Sequence, residues 1–124
     1  MDVPTQTHLN ALRGLLLFRL QGLQADVHAA RMAQQAAGQA GGHDVIDRKD
    51  EATRSHSAQI DDAQAQRDLD ELRLTEAALQ RLDHGSYGDC ADCGEPIALQ
   101  RLLAQPAAQR CAACQSVRER THRP

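Results

Sequence analysis

The chain has 124 residues with one Phe, one Tyr and no Trp, and a formal net charge of −3. That length suits one domain, and an apolar fraction dominated by Ala and Leu packs helix on helix better than it fills a globular core. A net negative chain argues against a generally basic nucleic-acid binder. The polar start "MDVPTQTHLN" lacks the regions of a targeting segment, and the apolar run Leu15 to Phe18 is too short to span a bilayer. The expectation is a cytoplasmic protein with no membrane contact.

Residues 7–38 predict one helix, with Pro4 and Thr5 as start signals. Apolar or small residues recur every seven at Leu9, Leu16, Leu23, Ala30 and Ala37, with Leu20 and Val27 as companions at a four-residue offset. Such heptad spacing marks a helix that lies along another helix. "GQAGGH" (Gly38 to His43) then breaks the helix and permits a reversal.

Residues 44–83 predict a second long helix, rich in Ala, Gln, Arg, Asp, Glu and Leu, with no Pro or Gly inside. Its apolar positions are sparser: Ile46, Ile60, Leu69, Leu72, Leu79 and Leu82. Charge is uneven, since residues 44–95 carry 14 acids against six Arg and Lys. "DHGSYGD" (Asp83 to Asp89) ends the helix at its glycines, and a short C-terminal helix is expected over about 112–122. The predicted fold class is mainly α. A long antiparallel coiled-coil hairpin spans 1–84, with its tip at 39–47, and a four-cysteine module with the C-terminal helix spans 85–124 at its base.

All four cysteines fall in that last part as Cys90-x2-Cys93 and Cys111-x2-Cys114, with 17 residues between the pairs. Four thiolates at this spacing fit one tetrahedral structural zinc ion. Gly94 suits the tight turn after Cys93. Four protein ligands leave no open position for a water, which argues against zinc hydrolysis. A thioredoxin-like redox pair would need a βαβ context that this helical chain lacks, and two disulfides would need an oxidising compartment. His84 and His122 lie near the module but are read as exposed polar residues, because the cysteines complete the set. Apolar residues are few here (Ile97, Leu99, Leu102, Leu103, Val117), so the module is expected to depend on its metal to fold. Arg110 and Arg118 would offset the negative charge of a zinc held by four thiolates.

"GSYGDCADCGEPIALQRLLAQPAAQRCAACQ" closely resembles the zinc-finger signature of the DksA/TraR family. The matching elements are Tyr87-Gly88, Cys90, Cys93-Gly94, Pro96-Ile97, Arg101-Leu102, Ala104, Pro106, Cys111, Cys114 and Gln115. The resemblance covers residues 44–120, and residues 1–43 match only in kind, as a heptad helix. It implies a regulator that binds bacterial RNA polymerase, enters its secondary channel and acts near the active centre through acidic residues at the hairpin tip. It implies a monomer with one structural zinc, no specific DNA binding and no enzymatic activity of its own.

The family's tip motif is Asp-x-x-Asp-x-Ala. Asp47-x-x-Asp50-x-Ala52 fits it completely, whereas Asp44-x-x-Asp47 is followed by Lys49 where Ala is wanted. Asp50 also stands 40 residues before Cys90, as the family's arm requires. Asp47, Asp50 and Ala52 are therefore the expected tip residues. By themselves these acids would read as helix caps, and Asp44 keeps that reading. Some relatives also bind the alarmone ppGpp through basic residues, and the matching positions here are Arg67, Leu74 and Gln115. Only Arg67 could make the contact as a cation, so a weak or absent ppGpp response is expected.

Two other classes of function stay open on the residues. One is a zinc-finger DNA binder that uses Arg110, Arg118, Arg120 and Arg123 on phosphates. The other is a structural or chaperone-like coiled-coil hairpin.

Overall fold

The structure is a computed structural model. It describes the backbone of residues 3–39 and 48–121, and the side chains of residues 3–38 and 52–121. Helix α1 is Gln6–Gln39, α2 is Arg48–His84, α3 is Leu99–Ala104 and α4 is Ala112–Thr121. The fold class is the expected one: mainly α, with two long helices leading into a four-cysteine module. Residues 44–47, expected to open the second helix, lie outside the described residues, as do Asp44 and His122.

Local chemistry explains the ends of these helices. At the start of α1, Thr5 Oγ1 accepts the His8 backbone N–H at 3.3 Å, and the Thr5 N–H donates to His8 Nδ1 at 3.0 Å. This is a reciprocal capping box with His in the place usually taken by Glu or Gln. At the end of α2, the Ser86 N–H reaches the Arg81 carbonyl at 2.9 Å and the Gly85 N–H reaches the Leu82 carbonyl at 3.4 Å. Gly85 has φ of 78°, so this is a Schellman ending that suits a residue without Cβ.

The chain forms two compact units. The first joins Met1–Leu20 to Arg73–Pro124, and the second is Gln21–Leu72. The first unit holds a core of Leu12, Leu16, Ala78, Tyr87, Cys90, Ile97 and Leu102, with Leu9, Leu79, Leu82 and Ala107 packed against it. Arg13 of α1 pairs with Asp83 of α2 at 2.8 Å on its surface. In the second unit Leu23 and Val27 of α1 are buried. Outward from them, a shallow cavity is lined by Ala30, Arg31, Gln34, Asp62, Ala65 and Gln66. There Gln34 Nε2 donates to Asp62 Oδ1 at 3.4 Å. Higher numbers on α1 meet lower numbers on α2, the order of an antiparallel pair.

The heptad reading of α1 holds from Leu9, which packs against the core, through Val27, and fails at the far end of the helix. Leu16, Leu23 and Val27 are buried as expected, but Ala37 is exposed, and Leu12, outside the expected set, is fully buried. A straight α-helix drifts about 20° per heptad against a strict seven-residue repeat, which carries the outer positions off the seam.

Candidate metal centre

The module begins where α2 ends. An isolated β-bridge pairs Asp89 with Pro96. The Ile97 N–H donates to the Gly88 carbonyl at 2.7 Å and the Cys90 N–H to the Glu95 carbonyl at 2.8 Å. These bonds fold residues 90–95 into a tight loop, closed by the Gly94 N–H on the Cys90 carbonyl at 3.0 Å. Gly94 has φ of 76°, so the sequence expectation for it is met.

The second pair sits on a helix. Cys111 directly precedes α4, and its Sγ accepts the Cys114 N–H at 3.5 Å. Sulfur here takes the part of an N-cap oxygen, and the positive end of α4 faces the thiols. Between the two pairs, the buried Ile97, Leu99 and Leu102 anchor α3 to the core. Tyr87 Oη donates to the Pro106 carbonyl at 2.8 Å, which fixes the chain on its way to Cys111. Leu103 and Val117, counted among the few apolar residues of this region, are 43% and 51% exposed instead.

All four Sγ atoms lie within 4.8 Å of one another. The Cys93–Cys111 pair is 3.9 Å apart, nearly twice a disulfide bond. It is close to the edge of about 3.8 Å that four sulfurs form around zinc at about 2.3 Å. Cys90 is buried in the core, Cys93 is exposed, and Cys111 and Cys114 are half-buried.

The ionisation of the cluster also fits a cation. Burial works against a charge on Cys90, but backbone N–H groups of Cys93, Cys111 and Asp92 outweigh it and lower its pKa to about 6. Cys114 is pushed up to about 12 by its hydrogen bonds with Cys111, Cys90 and Cys93. One thiolate is therefore favoured and further ones are resisted, the condition that a bound divalent cation relieves. Four soft thiolate donors in a closed tetrahedral set suit a structural zinc ion.

The other expected site residues do not gather here. Asp47 lies outside the described residues, and Asp50 is described only as backbone within α2. Ala52 is exposed on α2. Arg67, also exposed, donates to Gln64 Oε1 at 3.1 Å in the second unit. Leu74 is 38% exposed, and Gln115 donates to Glu119 at 3.0 Å. His84 turns its ring to the Gln80 carbonyl at 2.7 Å and takes no place in the cluster. Arg110 is committed to Asp92 at 2.9 Å. That ion pair went unread in the sequence, although the acid inside the first Cys pair and the Arg before the second were its signal.

Comparison with known proteins gives this geometry a family. A model describing the prokaryotic dksA/traR C4-type zinc finger matches residues 85–120. The RNA polymerase-binding transcription factor DksA of Haemophilus influenzae is 33% identical over 73 residues, 59% of this chain and 50% of that protein. Its namesake from Caulobacter vibrioides is 48% identical over 46 residues, 37% of this chain and 32% of that protein. The structure of transcription factor DksA2 from Pseudomonas aeruginosa superposes with a TM-score of 0.74 at 30% identity, over 96% of this chain and 88% of that one. The chain belongs to the DksA/TraR family. A DnaK suppressor protein from Agrobacterium tumefaciens shares the fold, with a TM-score of 0.60 at 22% identity over 94% of this chain and 99% of that one. Against the two DksA sequences, this family member aligns over half of the one protein's length and about a third of the other's. The family's finger is of the four-cysteine zinc type, and the four cysteines gathered here are positioned to bind one such ion. Among the described residues no helix is long and apolar enough to cross a membrane.

Proposed function

We propose that this protein is a transcription regulator that binds bacterial RNA polymerase and acts from its secondary channel. The observation that carries the reading is the likeness to DksA2 along nearly the whole chain, long helices and finger together, at 30% identity. The names of the Haemophilus and Caulobacter relatives, RNA polymerase-binding transcription factors, support the same partner. In this reading the zinc is structural. It ties the finger into the core beneath α1 and α2 and takes part in no reaction, so the protein is not an enzyme. Asp47 and Asp50, with Ala52 beside them, carry the effect as carboxylates offered near the polymerase's active centre. A carboxylate there perturbs the catalytic metal's surroundings or the elements that move around it.

The protein works as a cytoplasmic monomer and makes no specific contact with DNA, since the chain as a whole is net negative at −3. It responds weakly or not at all to ppGpp. Of the three candidate positions only Arg67 is a cation, whereas a multiply charged phosphate ligand needs several to offset its desolvation.

The test is transcription in vitro with purified bacterial RNA polymerase from a promoter with a short-lived open complex. Wild type should change output without ppGpp, and the Asp47→Asn, Asp50→Asn double variant should do so much less. Added ppGpp should leave the wild-type effect within about twofold. Equal output from wild type, double variant and buffer would overturn the reading.

A further inference from the structure

The finger contains a chain of polar contacts in which no cysteine takes part. Arg101, on α3, donates its Nε to the Arg110 backbone carbonyl at 2.9 Å. Arg110 in turn donates its own Nε to Asp92 Oδ2 at 2.9 Å. Beside them, the Ala91 N–H donates to the Gln109 carbonyl at 2.8 Å. The Arg110 side chain is only 15% exposed and that of Asp92 42%. Asp92 lies inside the first Cys pair, next to Cys93. Arg110 directly precedes Cys111. The ion pair therefore bridges the neighbours of the two cysteines whose sulfurs stand 3.9 Å apart.

That edge is one of those a competing ligand meets, since Cys114 is half-buried as Cys111 is. Cys90 is buried in the core, while Cys93 is exposed and Cys111 half-buried. A chelator must displace one of the accessible sulfurs, and it gains room when the two Cys turns part along the Cys93–Cys111 edge. Arg101 holds the peptide unit that carries the Cys111 N–H, and Arg110 ties that same segment to the opposite turn.

We propose that Asp92, Arg110 and Arg101 are positioning residues for the metal centre, a clasp across the Cys93–Cys111 edge that limits how fast zinc leaves. The clasp is independent of the protein's action on any partner. Its sign separates it from simple electrostatics. Zinc held by four thiolates is a net anionic centre, and Asp92 adds a further negative charge beside it. On charge alone, Asp92→Asn would relieve repulsion and slow the loss of zinc. A clasp predicts the opposite.

The experiment follows transfer of zinc from the full-length holo-protein to a colorimetric chelator in excess. Asp92→Asn and Arg110→Gln should each hasten transfer about two- to fivefold, the range of a partly exposed ion pair. The two together should do no more than either alone, because they break one contact. The charge swap, Asp92→Arg with Arg110→Asp, should restore most of the wild-type rate. Arg101→Met should hasten transfer with the ion pair's residues intact. The cobalt(II)-loaded variants should keep the wild-type absorption spectrum, which shows the four sulfurs still in place. Slower transfer from Asp92→Asn, additive effects of the two substitutions, or a swap no better than the single variants would each overturn the proposal.

Discussion

The unit of Met1–Leu20 with Arg73–Pro124 and the unit of Gln21–Leu72 draw on the same two helices and hold them by different means. In the first, α1 gives two fully buried leucines, Leu12 and Leu16, and α2 gives Thr75 and Ala78. The finger supplies the opposite wall with Tyr87, Cys90, Ile97 and Leu102. In the second, α1 buries Leu23 and Val27, and from Ala52 to Leu72 no described residue of α2 is fully buried. Helix α2 is held there by propensity and by its own surface, with Gln64 bonded to Asp68 at 2.9 Å and Gln66 to Asp70 at 3.0 Å. Ala, Gln, Arg and Glu favour a helix with little packing, and such pairs add a few tenths of a kcal/mol each. Stability is thus concentrated where the finger closes on the helices, while the second unit is chiefly a matter of shape and charge.

The largest expected effect comes from the metal. Stripping zinc with a strong chelator, or replacing Cys90 with Ser, should cost more than any single core truncation, since structural zinc contributes on the order of 10 kcal/mol in small fingers. Cys90 is both ligand and core residue, so its loss strikes twice. Amide exchange should then quicken across residues 75–102 and change little over 55–64. A uniform rise along both helices would break the contrast between the units.

Truncations come next. Leu102→Ala removes a fully buried side chain and should cost about 2–5 kcal/mol in denaturant unfolding. Ile60→Ala removes one that is 54% exposed and should stay within about 0.5 kcal/mol. Equal costs would mean that the second unit is packed as tightly as the first.

The smallest effect sharpens the picture inside the core. Tyr87→Phe removes the hydrogen bond to the Pro106 carbonyl and should cost about 1 kcal/mol. Burial pushes the Tyr87 phenol up to about 12, against the pull of the Arg81 charge. A raised folded-state pKa means that the unfolded chain ionises first. Stability should therefore be unaffected below about pH 10 and fall as pH rises from about 10 toward 12. The chain has one tyrosine, so tyrosinate absorbance reads this group alone. A native midpoint near 10 would show an open core.

Much of the first unit was legible because its signals are local. The two Cys pairs, Gly85 after the helix and Gly94 after Cys93 each announce a conformation within a few residues. The spans of α1 and α2 were readable from composition and from the glycines that bound them. Contacts between distant segments were not. Asp92 and Arg110 are 18 positions apart and meet only because α3 folds the chain back. Leu12 escaped because a strict seven-residue count follows the seam imperfectly. Tyr87 and Arg101 carried the family resemblance, yet nothing in the sequence said that one would fix Pro106 and the other the Arg110 carbonyl. The acids expected to carry function, Asp47 and Asp50, belong to a different kind of inference. They rest on a motif and its distance from Cys90, since the one lies outside the described residues and the other is described only as backbone.

The shared core has a consequence for the order in which this protein is made. Leu12 and Leu102 belong to one cluster, although about 90 positions separate them along the chain. On the ribosome, α1 emerges long before the segment that covers it, and its first turns wait with their apolar side uncovered. Contacts so far apart in sequence form late and slowly. The metal cannot be fully ligated until Cys114 has emerged. Zinc capture and closure of the core therefore fall together once Cys114 has emerged, and a cell short of zinc would accumulate chains whose long helices exist before anything holds their base.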